Sequence, residues 1–382
     1  MKDILRPDIQ KYINANLKTD LHSLLLKKSP FVDVSMVEIV QQIKGKNVAE
    51  RKFPFLQKEG IIFPPHLNLE QASSQATAEF KSKELRGEKF LDLTCGFGID
   101  SYFLSKNFKS ATLVDQNSGL LDIVQHNWKT LERDAMFVHS DLEEFLRTNQ
   151  EKFDVVYLDP ARRDQLKNKK FLLEDLSPNL LEIQEQLEKI SNKIIVKLSP
   201  LIDISYLISV LKNISEIQII AVRNEVKELL AVMESGFDGG VRIHCINLES
   251  GEQSFIFNFG EEKVAVSEFS EPMRYLYIPN NSVLKSGAFN TIAQNFGLKK
   301  LHPNTHLYTS QQKCNNFPGR VMEVETISSG VLKKGEKYNI ISRNHPLMPD
   351  QIKKKFRISD GGNRYLIFTQ TLKTKVILRS VL

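Results

Sequence analysis

Cysteine is scarce in this chain. Three thiols, Cys95, Cys245 and Cys314, are scattered over 382 residues. They are too few for a disulfide framework and too dispersed for a zinc cluster, so no metal ligand set is expected. No apolar run approaches the roughly 18 residues that cross a bilayer, which excludes a helical integral membrane protein. The first twenty residues are charged throughout and lack an apolar signal core, so a reducing cytoplasm is the expected compartment. A phosphate-binding P-loop is also excluded, because no Gly-Lys-Ser/Thr ending follows the glycines of the one glycine-rich turn. No internal repeat or low-complexity segment stands out.

What is present is ordinary for a globular protein: 41% apolar and 26% charged residues. At roughly 100–200 residues per domain, the length predicts two to four domains. The net charge of +6 is unevenly spread. From Val283 to Leu382 there are 17 basic and 5 acidic residues, a balance of +12, against 35 basic and 41 acidic residues before it, a balance of −6. A basic module joined to a mildly acidic one points to a polyanionic partner for the basic end, although a charge run alone is more often a solvated surface.

The first sixty residues carry helical spacing, with Ile9, Tyr12, Ile13 and Leu17 on one helix and Ser35 placed to cap a second. The prolines of Phe53-Pro54-Phe55 and Phe63-Pro64-Pro65 predict a linker or boundary. A helix is expected across 67–85, starting near Ser73 or Ser74. From Glu88 onward short apolar strands alternate with amphipathic helices. The expected strands are Phe90–Leu93, Ala111–Asp115, Met136–His139, Asp154–Leu158, Lys193–Leu198 and Ile217–Val222. Such alternation implies parallel strands joined by right-handed crossovers, hence a doubly wound, mostly parallel α/β sheet. Leu229–Met233 should return antiparallel, because its connection is too short for a crossover. A hairpin is expected around Glu249-Ser250-Gly251-Glu252. Beyond Met273 the elements are short and mixed, with a helix predicted over Ser282–Asn295 and another over Pro349–Phe356.

Chemistry gathers at the strand ends. The first strand runs into Asp92-Leu93-Thr94-Cys95-Gly96-Phe97-Gly98-Ile99-Asp100, a glycine turn ahead of a helix, where backbone can come close to a ligand. Asp115 ends the second strand, where a carboxylate can hold ribose hydroxyls, and Asp141 follows the third. All three would line the carboxyl edge of a parallel sheet. The fourth strand ends in Asp159-Pro160-Ala161-Arg162-Arg163. A carboxylate there can accept N–H bonds from a delocalised ring amine and aim its lone pair at an electrophile. Chemistry at a base carbon would instead need a cysteine nucleophile near that strand or a later one; none lies near the fourth, and Cys245 and Cys314 read as buried thiols rather than nucleophiles. Lys197, at the end of the fifth strand, is placed to line the substrate mouth. Lys353, Lys354, Lys355 and Arg357 cluster on or beside the last predicted helix, where Lys353 and Arg357 stand one turn apart, and phosphate contacts are the natural use of such a cluster.

These motifs resemble the class I S-adenosylmethionine-dependent methyltransferases, and over nearly the whole chain a bacterial family of them with a C-terminal THUMP-like domain. KFPFL (52–56), LEQASSQATAEF (69–80), DLTCGFGID (92–100), YLDPARRD (157–164), VKLSP (196–200), FPGRVMEVE (317–325) and NHPLMPDQIKKKF (344–356) carry the resemblance. It implies an N-terminal helical region over 1–65, a Rossmann-like methyltransferase domain over 66–272, a small ferredoxin-like domain over 273–325 and a basic THUMP-like domain over 326–382. By the same resemblance, Asp92, Thr94, Cys95, Gly96 and Gly98 would cradle the methionine end of S-adenosylmethionine, Asp115 and Gln116 the ribose, and Asp141 the adenine. Asp159 and the Pro160 carbonyl would position an exocyclic base amine. Arg162, Arg163, Lys197, Lys353, Lys354 and Arg357 would contact an RNA substrate, tRNA or rRNA. The chain departs from the family pattern twice: Thr94 replaces the first loop glycine, and Ala161-Arg162 replaces the proline and aromatic that stack on a flipped base. The residues alone leave two other readings open, a small-molecule methyltransferase and a non-catalytic RNA-binding protein that keeps a cofactor pocket.

Overall fold

The computed structural model describes residues 2–162 and 172–381. These fall into two compact units, one of residues up to 214 with 231–237, the other of 215–230 with 238–382.

The first unit begins with helices α1 (Pro7–Ala15), α2 (Leu21–Leu25) and α3 (Met36–Lys52). Ser35 and Glu38 form a reciprocal capping box at the start of α3, satisfying two orphan N–H groups. The proline-punctuated stretch that follows is no linker. Ile61, Ile62 and Phe63 are buried. The Asn127 amide bonds both the N–H and the carbonyl of Ile62 at 2.8 Å, and Gln42 does the same for Phe63 at 2.9 and 2.8 Å. Two side-chain amides thus replace the sheet partners this backbone lacks. The single helix expected across 67–85 is two: α4 (His66–Gln71) and α5 (Gln75–Ser82), the latter capped by Ser74.

The nine-stranded sheet consists of β1 (Gly87–Asp92), β2 (Phe108–Asp115), β3 (Met136–His139), β4 (Val155–Leu158), β5 (Lys193–Leu198), β6 (Ile214–Val222), β7 (Glu225–Glu234), β8 (Arg242–Leu248) and β9 (Phe255–Asn258). Its order is β9-β8-β6-β7-β5-β4-β1-β2-β3. Pairings β1–β2, β2–β3, β1–β4 and β4–β5 are all parallel. The crossover helices between them include α6 (Ile99–Leu104), α7 (Ser118–Thr130), α8 (Leu142–Thr148) and α9 (Leu180–Ile190). All four residues of β4 are buried, the uniform apolar run that a strand covered on both faces requires. β6 and β7 are joined by Arg223-Asn224, both at positive φ, the tight hairpin geometry anticipated for that short connection. The division between the two units falls in this hairpin.

The second unit also holds a seven-stranded sheet. Its strands are β10 (Tyr275–Pro279), β11 (Lys299–His302), β12 (Thr305–Ser310), β13 (Gly319–Ile327), β14 (Lys337–Ser342), β15 (Ser359–Gln370) and β16 (Lys375–Ser380), in the order β11-β12-β10-β13-β16-β15-β14. β10 and β11 carry no strong alternation and were not anticipated. The helix expected over Ser282–Asn295 is broken into Asn281–Ser286 and Thr291–Asn295, with Gly287 at φ 77° ending the first. β13 pairs with β10 through Gly319–Glu323 and with β16 through Val324–Ile327, so one strand serves both halves of the sheet. Leu276, Leu301, Leu307, Met322 and Leu378 form one core beneath it, and Tyr338, Ile352, Leu366 and Phe368 form a second.

Candidate active site

The carboxyl ends of β1, β2 and β4 open into a cavity of about 480 Å³ within the first unit. That lies in the roughly 300–1,000 Å³ range of small-molecule and cofactor sites. The glycine turn forms one wall. Gly96 and Gly98 take φ of 54° and 71°, the left-handed region where a side chain is strained. At Gly96 a Cβ would meet nothing closer than 3.8 Å, so this backbone faces open space and a ligand can approach it. At Gly98 a Cβ would come within 2.6 Å of Val124 and 3.2 Å of Trp128, so that glycine serves close packing of the loop on α7.

Asp92 holds the loop from inside. It is 1% exposed, accepts the Thr94 N–H at 2.8 Å and receives the Ser101 hydroxyl. Burial pushes its carboxyl up to about 7, against the opposing pull of these two bonds. Thr94, the departure from the glycine pattern, has a function of its own: its Oγ1 accepts the Asp159 N–H at 2.6 Å, tying the loop after β1 to the loop after β4. Cys95 is buried and burial pushes its thiol up, the opposite of an activated nucleophile.

Asp115 accepts the Gly96 N–H on one oxygen and the Asn117 N–H on the other, both at 2.8 Å. It lines the cavity together with Gln116 and Asp141. Asp141 also caps α8, accepting the Glu144 N–H at 2.7 Å.

Asp159 lines the same cavity with 37% of its side chain exposed. Pro160 behind it is buried, and Ala161 continues the wall. Ala161 and Arg162 pair with Ser177 and Leu176 in a two-residue ribbon beside the mouth. Arg163 lies outside the described residues.

Lys197 extends from β5 to hydrogen-bond the Asp159 carboxylate. Behind it lies a polar cluster that the sequence reading missed. Asp100 accepts the Tyr157 and Ser73 hydroxyls, each at 2.7 Å, and pairs with Lys81 at 2.7 Å, whose side chain is 1% exposed. Lys197 stands 3.6 Å from Asp100. Burial opposes ionisation of Asp100, but the two ammonium groups outweigh it and hold the carboxyl well below the usual carboxylate range. The clue in the sequence is Lys81, a lysine on the apolar face of a short helix.

The last sequence-predicted residues lie elsewhere. Lys353 is bound by Asp350 at 2.8 Å and Asp360 at 2.6 Å. Lys354, Lys355 and Arg357 are exposed, and Arg357 sits past the helix end at φ 55° rather than one turn along its face.

A glycine turn after the first strand of a parallel sheet, with acids ending successive strands around one cavity, is the arrangement of an α/β domain that binds a nucleoside-containing cofactor. Family models match the chain in three places: one described as conserved hypothetical protein 95 over 74–195, a ferredoxin-like domain over 275–318, and a THUMP-like domain over 320–379. A crystal structure from Porphyromonas gingivalis W83, provisionally described as a methyltransferase, matches with a TM-score of 0.86 and 30% identity, covering 99% of this chain and 97% of that one. The chain belongs to this family of S-adenosylmethionine-dependent methyltransferases with a C-terminal THUMP-like domain, and its cofactor is S-adenosylmethionine. An uncharacterized S-adenosylmethionine-dependent methyltransferase of Mycobacterium tuberculosis H37Rv is 25% identical over 236 residues, 62% of each chain. The chain thus spans 62% of the length of that curated relative. An uncharacterized RNA methyltransferase of Mycoplasma mobile is 31% identical over 100 residues, 26% of each chain.

Proposed function

We propose that this protein methylates an exocyclic amine of an RNA base, with Asp159 positioning the nucleophile. The observation that carries the reading is the shared cavity: the Asp159 carboxylate opens into the space bounded by Gly96 and Asp115, and Thr94 fixes its backbone there.

S-adenosylmethionine, when bound, supplies the sulfonium methyl. The open Gly96 backbone and the carboxylates of Asp115 and Asp141 are the groups that would hold it. Asp159 accepts one N–H of the target amine, and the Pro160 carbonyl is the second acceptor in this reading. Two acceptors draw the nitrogen out of conjugation and turn its lone pair toward the methyl. As the carbon–nitrogen bond forms and the sulfur–carbon bond breaks, the amine must lose a proton. Asp159 is the adjacent base, and its exposed face passes that proton to solvent. Ala161 and Arg162 leave the target without an aromatic platform at this position, so the flipped base must stack elsewhere on the wall.

RNA as the substrate is supported by the THUMP-like match over 320–379, by the basic balance of the same region, and by the Mycoplasma mobile relative's description. Mass spectrometry of nucleosides from a strain lacking the gene is the direct test. One methylated nucleoside should disappear from one RNA species and return when purified protein and cofactor are added to that RNA. An unchanged nucleoside profile, with transfer to a metabolite instead, would replace this reading with a small-molecule one.

A further inference from the structure

Lys197 and Asp100 stand beside the proposed chemistry without taking part in it. Asp159, Lys197 and Asp100 line the cavity and, with Lys81 buried behind Asp100, form an alternating row of charges drawn from the end of β4, β5, α6 and α5. Ser73 sits among them, bonded to Asp100 at 2.7 Å, to Lys81 at 2.9 Å and to Lys197 at 3.3 Å. Side chains of Lys81, Asp100 and Lys197 are 1%, 10% and 11% exposed, so water contributes little to holding these charges. Burying three ionic groups is costly unless they are compensated, and two ammonium groups around the single buried carboxylate of Asp100 leave one positive charge for the half-exposed Asp159 to balance.

We infer that Lys197 is a positioning residue, which holds Asp159 ionised and aimed before the target arrives and then yields that carboxylate to the target amine while remaining paired with Asp100. The inference rests on the amine-positioning reading above. Three features lead to it. Lys197 bonds one oxygen of the Asp159 carboxylate, so that carboxylate carries a countercharge in a cavity already lined by Asp92, Asp100, Asp115 and Asp141. Asp100 lies 3.6 Å from the same ammonium, so Lys197 has a second carboxylate to turn to without leaving its place. Asp100 is itself anchored by Lys81 and by the hydroxyls of Tyr157 and Ser73, so it stays fixed while Lys197 shifts. Among the described residues, the charged groups facing Asp159 are Lys197 from β5, Asp100 from α6, Lys81 from α5 and Asp92 from β1. Burial, with the Asp100 carboxylate, holds its pKa above the ordinary carboxylate value, and the ammonium groups of Lys197 and Lys81 limit that rise.

The test uses the full-length protein, with radiolabelled S-adenosylmethionine and total RNA from the deletion strain as substrate. Removing an opposite charge at contact distance should raise the pKa of a carboxylate by about one unit or more. Lys197→Met should therefore move the acidic limb of the kcat/KM profile, which reports the free enzyme, up by about one pH unit or more, with a kcat/KM loss of about tenfold or more at neutral pH. Calorimetric affinity for S-adenosylmethionine should change less than about threefold, because Lys197 faces the target rather than the cofactor. Lys197→Arg should restore the wild-type limb, and Lys197→Gln, which keeps a donor but no charge, should not. A folded Lys197→Met protein with the wild-type acidic limb overturns the inference. So does failure of both neutral variants to fold while Lys197→Arg folds, since the residue would then be structural. Asp159→Ala, which removes the acceptor, separates the two levels when run in the same assay. If it retains turnover, the amine-positioning reading fails; if it is inactive and the Lys197→Met limb is unmoved, only the role of Lys197 fails.

Discussion

Asp115 accepts the Gly96 N–H at 2.8 Å, so the end of the second strand and the glycine turn after the first strand are one hydrogen-bonded unit. The carboxylate that would hold a ribose also shapes the backbone that would hold the rest of the cofactor. Asp115→Ala should therefore weaken S-adenosylmethionine binding by about tenfold or more, the loss of charge-assisted bonds. Calorimetry on protein whose circular dichroism is unchanged checks it; wild-type affinity would remove Asp115 from the cofactor site.

Asp159→Ala should abolish methyl transfer while leaving cofactor affinity nearly intact, because in the proposed function its partner is the substrate amine. Thr94→Val removes the acceptor of the Asp159 N–H and should lower kcat in the same direction but less severely. Turnover assays paired with calorimetry separate these from a cofactor defect. Activity of Asp159→Ala within a few-fold of wild type would show that another group positions the nucleophile.

Gly98→Ala adds a Cβ where φ is 71° and Val124 stands 2.6 Å away. Left-handed backbone and overpacking together should cost about 2 kcal/mol or more. Urea denaturation followed by circular dichroism measures this. Gly96→Ala is the comparison: it carries the conformational cost without the clash, and its larger effect should fall on cofactor binding, since its Cβ would enter the cavity.

The buried carboxyl of Asp92 gives a pH dependence of stability. Its folded pKa, pushed up to about 7, lies above the unfolded value of 3.8, so the native state binds the extra proton in between. Stability contributed by this group is present below about pH 4 and is lost as pH rises to about 7. Asp92→Asn keeps the acceptor for Thr94 and cannot ionise. Denaturation midpoints across pH 4–8 should decline less steeply for this variant than for wild type; parallel curves would assign the decline to other groups.

On the basic module, charge reversal at Lys354, Lys355 and Arg357 should weaken RNA binding and flatten its salt dependence, by about 0.7–0.9 in the log–log slope for each phosphate no longer neutralised. Lys353→Ala should do much less, because Asp350 and Asp360 already neutralise that ammonium. Filter binding over a salt series reads both. Side-chain substitution is the appropriate tool here, since a truncation after Glu325 would cut through β13 and expose the cores on which β10 and β16 pack. An unchanged slope after triple reversal would place the RNA on other surfaces.

The alternation of apolar strands with amphipathic helices was enough to read the parallel sheet, because strand ends in such folds are set by local periodicity and turns. Met136–His139, Lys193–Leu198 and the helices Leu142–Thr148 and Pro349–Phe356 begin and end where their patterns do. The acids at the strand ends were legible for the same reason: a parallel sheet sends every carboxyl end to one edge. Prolines around 53–65 misled, since they mark the absence of ladder bonding but say nothing of burial. The Gln42 and Asn127 amides that hold this segment stand 21 and 65 residues away in sequence from the backbone they bond.

By itself, then, the sequence determined the class of fold, the glycine turn and the row of acids, all features written in neighbouring residues. The Lys81–Asp100–Lys197–Asp159 row, the bond from Thr94 to the Asp159 backbone, and the pairing of Lys353 with Asp360 were decided only in the tertiary structure. Each joins groups from separate elements, and a charge's partner and burial depend on where the packed elements bring it, which no local pattern records.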